Sequence, residues 1–291
     1  GCRFMQLTYN NQSLLATGCY EKVDSGVTNF GREVIKEMNR VGVVIDMSHS
    51  AEKSTLDAIE LSEKPIAITH ANPVFWHSAK RNKSTNLLKV LADTKEGSGL
   101  RFNDGKCDPS GRFWVGSMDR KEKNKLGSLY SWNSIEGLVN REQGVTVSNG
   151  MGWSPDNSLF YYIDSPTREV SVYDFDLSTG SINNKRRFIS FSEEDGFPDG
   201  MTIDNEGRLW IAFWGGSKIM CVNPDSKAIE EVVSFPVSKI TSCAFGGEKM
   251  DKLFITSAKV QVNEKNEPMA GKTFVVSLGV QGLPSFNLKL I

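Results

Sequence analysis

The feature that most limits what this chain can fold into is an internal repeat. Three clear copies read NDGKCDPSGRFWVGSM (103–118), SNGMGWSPDNSLFYYID (148–164) and PDGMTIDNEGRLWIAFW (198–214), and a weaker fourth reads SCAFGGEKMDKLFITSA (242–258). A period of roughly 42 to 50 residues falls in the range of propeller blades. Each copy has a small polar start, a short strand, a turn rich in Asp, Asn, Gly or Pro, and then an aromatic strand. A third strand is expected after each clear copy, at 128–132, 170–175 and 218–223. Three or four strands per copy make a four-stranded blade. Continuous apolar runs such as LWIAFW suit sheets packed on both faces. The pattern predicts a mainly β chain holding about four blades.

The repeat also aligns polar residues. Asn103, Asn149 and Asp199 hold one position in three copies, each followed closely by a Gly. In a propeller, equivalent positions at the start of the innermost strands surround one mouth of the central channel. Three oxygen-bearing side chains would converge there, and oxygen donors without His or Cys suit Ca²⁺, Mg²⁺ or Mn²⁺, with Zn²⁺ also admissible. The competing reading is that these are turn residues and nothing more. The chain has three histidines, His49, His70 and His77, so any chemistry beyond residue 80 runs on carboxylates, amides, hydroxyls, Arg or Lys. The six tryptophans are expected in blade cores, His77 at the surface, and the run 119–125 as a solvated loop or a lid over the channel mouth.

Charge and cysteine content narrow the partners. Lys+Arg is 34 against Asp+Glu 35 in 291 residues, a net charge of -1 that gives no electrostatic reason to expect nucleic acid or an anionic membrane. No apolar run reaches the roughly 18 residues of a membrane span. Five widely spaced cysteines without C-x-x-C suggest buried thiols in a reducing compartment, and a cytoplasmic location is expected. No basic and apolar leader opens the sequence. Its first residue is Gly1, which suggests a processed or truncated chain.

The first eighty residues follow a different pattern. Residues 3–8 and 43–47 read as strands, 29–40 as a helix with Phe30, Val34, Ile35 and Met38 on one face, and 54–61 as a second helix carrying Leu56, Ala58 and Ile59. PIAIT (65–69) reads as a further strand. Strand, helix, strand at this spacing is a parallel βα unit. His49 and His70 each follow a strand, where ligand groups of parallel α/β folds collect, and two such imidazoles can share a metal. Local capping is the alternative.

Two family resemblances rest on these segments. MQLTYNNQSLLATG, FGREVIKEMNRVGVVIDMSH and PIAITHANPVFWHSAKRNKS, within residues 1–84, resemble the membrane dipeptidase family of binuclear zinc peptidases on a TIM-like barrel. The resemblance implies His49 and His70 as zinc ligands and Arg81 as a substrate-binding residue. The family's His-x-Asp and bridging Glu have no counterpart here, and Tyr9 stands where many members carry a catalytic His, so zinc would be held weakly and dipeptidase activity is expected to be lost.

Residues 85–291 resemble the senescence marker protein, gluconolactonase and luciferin-regenerating enzyme family, in its regucalcin-like branch. The motifs RFNDGKCDPSGRFWVGSM, SNGMGWSPDNSLFYYID, FPDGMTIDNEGRLWIAFWGG and TSCAFGG carry it. The resemblance implies a six-bladed propeller with one divalent metal in its channel, hydrolysing sugar lactones or related esters. It implies Asn149 and Asp199 as metal ligands, Asp199 also as the catalytic base, and Arg101 and Asn103 as substrate-binding residues. The family's remaining ligand, a Glu in the first blade, has no counterpart, and about two blades are missing. The fold expected is thus a partial six-bladed propeller preceded by a short α/β fragment of a TIM-like barrel, divided at 84/85. A metal-dependent lactonase leads, its activity impaired if the missing parts matter. A non-enzymatic calcium-binding protein, a zinc dipeptidase without activity and a degenerate chain are the alternatives. Open blade edges are expected to favour self-association.

Overall fold

The structure is a computed structural model, and it describes residues 4–68, 94 and 99–289. The chain divides into two compact units, Gly1–Leu91 and Ala92–Ile291.

In the first unit, β1 (Phe4–Gln6) pairs in parallel with β2 (Val44–Asp46), and Asp46 forms a parallel bridge to Ala67. Helix α1 (Asn29–Val41) starts at Thr28, whose hydroxyl accepts the Gly31 N–H at 3.0 Å, and it stops at Gly42 in the left-handed region at φ 73°. Helix α2 (Glu52–Leu61) follows β2. The core gathers Leu7, Ala16, Val27, Ile35, Met38, Ile45, Met47 and Ala58.

The helix faces follow the apolar pattern in part: Ile35, Met38 and Ala58 are buried as expected. Phe30, Leu56 and Ile59 are exposed, while α1 buries Gly31, Ile35 and Met38 and α2 buries Ser54, Thr55 and Ala58. The cause is the segment 12–27, which needs polar and small partners. A Cβ at Gly31 would overlap the Leu15 carbonyl, and Ser54 Oγ accepts the Thr17 N–H at 3.1 Å. Packing against this segment brings Gly31 and Ser54 inward beside the apolar residues of each helix. Thr69, His70, His77 and Arg81 lie outside the described residues.

Among the described residues the second unit is four antiparallel sheets in chain order. The first holds β3 (Leu100–Cys107), β4 (Phe113–Asp119), β5 (Gly127–Asn133) and β6 (Gly137–Val145). The second holds β7 (Ser148–Trp153), β8 (Leu159–Asp164), β9 (Glu169–Asp176) and β10 (Ser181–Ser190). The third holds β11 (Phe197–Ile203), β12 (Leu209–Trp214), β13 (Lys218–Val222) and β14 (Ile229–Ser234). The fourth is three-stranded: β15 (Ile240–Gly246), β16 (Lys252–Ser257) and β17 (Thr273–Ser277). Strands β3, β7, β11 and β15 neighbour one another in that order and form the inner row of a four-bladed propeller arrangement.

Apolar layers join successive blades. Trp114, Leu129, Trp153, Phe160 and Phe175 fill the space between the first and second. Ile163, Val170, Met201, Ile211 and Phe213 fill the next, and Trp210, Ile219, Cys243, Phe245 and Ile255 the last. Two blades repeat one polar turn. Asp108 accepts from Trp114 Nε1 and Arg112, both at 3.0 Å; Asp204 accepts from Trp210 Nε1 at 2.9 Å and Arg208 at 2.8 Å. Both aspartates are fully buried, so these donors satisfy charges that would otherwise be stranded.

Candidate active site

The inner strands share one irregularity. The β3/β4 register breaks between Phe102 and Gly105, β7/β8 between Ser148 and Met151, β11/β12 between Pro198 and Met201, and β15/β16 between Ile240 and Ser242. Asn103, Asp104, Asn149, Asp199 and Thr241 all fall inside these breaks. A bulge leaves residues out of the ladder and re-aims their side chains. The repeat therefore delivers four equivalent positions to one place, with the backbone already turned toward it.

Two glycines let the inner strands close up. A Cβ at Gly150 would stand 2.6 Å from the Asp199 carbonyl oxygen, and one at Gly200 would overlap the Ser242 hydroxyl. Turn chemistry alone does not account for these positions, because each glycine faces the next inner strand.

The side chains form a hydrogen-bonded row across three blades. Arg101 donates to Asn103 Oδ1 at 2.8 Å. Asn103 Nδ2 donates to the Ser148 carbonyl at 2.7 Å and to Asn149 Oδ1 at 3.1 Å. Asn149 Nδ2 donates to Ser165 Oγ at 2.7 Å, and Ser165 donates to the Pro198 carbonyl at 2.6 Å, next to Asp199. The two amides are thereby held in fixed orientations with each oxygen directed by its neighbour.

Arg101, Asn103, Asn149 and Asp199 line one cavity of about 540 Å³, together with Asp104, Glu122, Ser165, Thr241 and Ser242. Burial pushes the Asp199 carboxyl up to about 8, the Asp104 charge adds to the rise, and the Gly200 N–H opposes it. Asp104 is raised mainly by burial, against the Lys106 ammonium and the Gly105 N–H at 2.7 Å. Lys106 is lowered by burial of its ammonium, which Asp104 offsets, and it donates to the Met201 carbonyl at 2.9 Å. Two carboxyls thus share a cavity where neither is comfortably ionised alone.

That donor set suits a hard divalent cation. Carboxylate, amide and hydroxyl oxygens are the ligands Ca²⁺, Mg²⁺ and Mn²⁺ prefer, and a cation would relieve the like-charge strain at Asp199 and Asp104. Among the described residues no cluster of three or more His, Cys, Asp or Glu is arranged as a metal cage, so amide, hydroxyl, backbone-carbonyl or water oxygens would complete any coordination.

Several site residues carried no repeat signal. Asp104 adjoins a repeat position, and its acidity was the available cue. Ser165 and Glu122 belong to single copies. Glu122 reaches the cavity from the loop after β4 at φ 58°, a loop folded around Asp119, whose carboxylate accepts the Lys121 N–H at 3.0 Å and the Asn124 N–H at 2.9 Å. Trp214, expected in a core, lines the cavity instead, while Trp114 and Trp210 are fully buried.

In the first unit, His49 is buried, its Nδ1 lies 2.6 Å from Asn10 Oδ1, and its ring stacks on Tyr9 at 4.0 Å. The Asp46 carboxylate accepts the Ser48 N–H at 3.0 Å and Gln6 Nε2 at 3.2 Å. His70 and Arg81 fall outside the described residues, so their placement relative to His49 is not part of this geometry.

Comparison with known proteins places the chain. The chain is 38% identical over 233 residues, 79% of either chain, to the Bacillus subtilis protein named "Putative sugar lactone lactonase YvrE". It is 39% identical over 206 residues to regucalcin of Danio rerio, covering 69% of this chain and 70% of that one. Among solved structures it resembles a luciferin-regenerating enzyme at 37% identity and TM-score 0.62, with 66% of each chain covered. It also resembles a calcium-binding regucalcin from Agrobacterium tumefaciens at 28% identity and TM-score 0.63, again over 66% of each. The profile of the SMP-30/gluconolactonase/LRE-like region matches residues 38–259, and the chain belongs to that family.

Proposed function

We propose that the second unit is a divalent-metal-dependent hydrolase of sugar lactones or related esters. The observation that carries this reading is the row Arg101–Asn103–Asn149–Ser165, which ties two blades together, is anchored on the third at the Pro198 carbonyl and faces the same cavity as Asp199. The family supports a lactonase-type reaction, and the oxygen-rich cavity supports a metal.

Asn149 and Asp199 would hold the cation, with Asp104 beside them. Bound there, it would polarise the ester carbonyl and make water a stronger nucleophile. Asn103, fixed from both sides, orients the lactone ring, and Arg101 offsets the negative charge that develops on the carbonyl oxygen. With the cation in place the Asp199 carboxylate would be held ionised, and it would take the proton of the attacking water. The carbonyl carbon–ring oxygen bond breaks, the proton passes to the departing alkoxide, and a hydroxy acid leaves.

The test is hydrolysis of glucono-δ-lactone by the full chain with Ca²⁺, Mn²⁺ or Zn²⁺, with chelator, and with Asp199→Asn. Turnover that needs metal and drops at least about 100-fold in the variant is the expected result. A folded chain that binds Ca²⁺ but turns over no lactone would instead favour the calcium-binding reading, which the oxygen-only donors and the calcium-binding relative support. For the first unit, zinc at His49 and His70 remains a proposal tested by zinc titration of His49→Ala.

A further inference from the structure

One wall of the cavity is apolar and has a built-in backing. Phe197 and Trp214 are cross-strand partners on β11 and β12, and both line the cavity beside Met118, Val147 and Pro166. Each ring carries a cation. The Arg168 guanidinium lies 4.0 Å from the Phe197 centroid, and the Lys239 ammonium lies 4.8 Å from the Trp214 centroid. The cations are themselves pinned: Arg168 donates to the Gly196 carbonyl at 2.7 Å, and Lys239 donates to the Val260 carbonyl at 2.5 Å. Trp214 and Lys239 also pair across a β-bridge. The result is a row of cation, ring, ring and cation at the rim, its rings held by partners on neighbouring elements.

Such rings are expensive to leave in water. Phe197 is 38% exposed although the polar half of the cavity could have been built without it. Nothing in the row Arg101–Asn103–Asn149–Ser165 needs an aromatic neighbour. A pre-positioned apolar wall opposite a few directed polar groups is the usual construction of a pocket that fixes a substrate by both ends.

We infer that the Phe197–Trp214 wall is a specificity subsite for an apolar substituent, so that a lactone carrying an alkyl or aryl group next to its ring oxygen is favoured over the same lactone without one. The inference rests on the lactonase reading above and adds the substrate class to it. The ester end meets Arg101, Asn103 and Asp199, and the substituent lies against the rings.

The experiment compares δ-nonalactone, which carries a butyl group, with unsubstituted δ-valerolactone, in the wild-type chain and in Phe197→Ser and Trp214→Gln. Phe197 is exposed and Trp214 half-buried, so polar side chains are tolerated there, and thermal melting checks that each variant folds. The wild type is expected to favour the butyl lactone in kcat/KM by at least about tenfold, through KM. Each variant is expected to bring that ratio down toward one. A wild-type ratio near one, or a ratio that both variants retain, would overturn the proposal. Calorimetric titration with 2-butyltetrahydropyran and tetrahydropyran, neither of which can be hydrolysed, reads the wall alone. Tighter binding of the butyl ether without turnover of any lactone would sink the lactonase reading and leave the subsite standing. Equal or undetectable binding of both ethers would sink the subsite.

Discussion

Asp176 and Asp199 are carboxyls of one fold with opposite surroundings. Asp176 sits in an exposed turn where the Ser178 and Thr179 hydroxyls and the Ser178 N–H donate to it, which holds it down to about 2. Asp199, in the cavity, is pushed up to about 8. The first is therefore held as a charge by its turn, and the second is held toward its neutral form by burial. Because the folded state lowers Asp176 below its ordinary 3.8, its contribution is complete above that value and is lost as pH falls through about 2. Its carboxyl resonance should titrate with a midpoint near 2 in folded protein, and a midpoint near 4 would show that the turn does not form. The repeat made Asn103, Asn149 and Asp199 readable as one set. Asp104, Ser165 and Glu122 were not readable, because a residue found in only one copy, or one place from the repeat position, has no register to mark it.

Strands and turns were the most legible level. Strands β5, β9 and β13 fall where the third strand of each copy was expected, because aromatic and β-branched runs between turn residues leave little choice. The register breaks were invisible, since a bulge depends on pairing and not on composition. The helices α1 and α2 were legible in part: Ile35, Met38 and Ala58 are buried as their spacing predicts, while the neighbouring backbone selected Gly31 and Ser54 over Phe30 and Leu56. The buried Asp turns belong to this scale too. Asp204→Ala should remove about 3–5 kcal/mol of stability in urea unfolding, because Arg208 and Trp210 lose their acceptor together. Glu206→Ala, at an exposed neighbour, should cost less than about 1 kcal/mol. Equal effects would mean that the turn contributes nothing beyond its surface charges.

Across the whole molecule, the chain keeps the inner row that builds the cavity. Two units, Gly1–Leu91 and Ala92–Ile291, have separate cores. Among the described residues no helix is long and apolar enough to cross a membrane. Among the described residues the last blade has three strands and β17 pairs with β16 alone, with Val275 54% exposed on that edge strand. Unprotected edges invite pairing. Sedimentation should show association that grows with protein concentration and weakens in Val275→Lys; a monomer at every concentration would contradict this.

The central claim is that Asn149 and Asp199, from successive blades, act as one cation site. Calorimetric titration of Ca²⁺ and Mn²⁺ into the wild type, Asn149→Ala, Asp199→Asn and the double variant tests it most directly. Each single change should weaken binding by about tenfold or more, and the double change should cost less than the sum, as groups sharing one ligand do. Undiminished binding in Asp199→Asn, or fully additive losses, would show that the two residues do not hold the same ion.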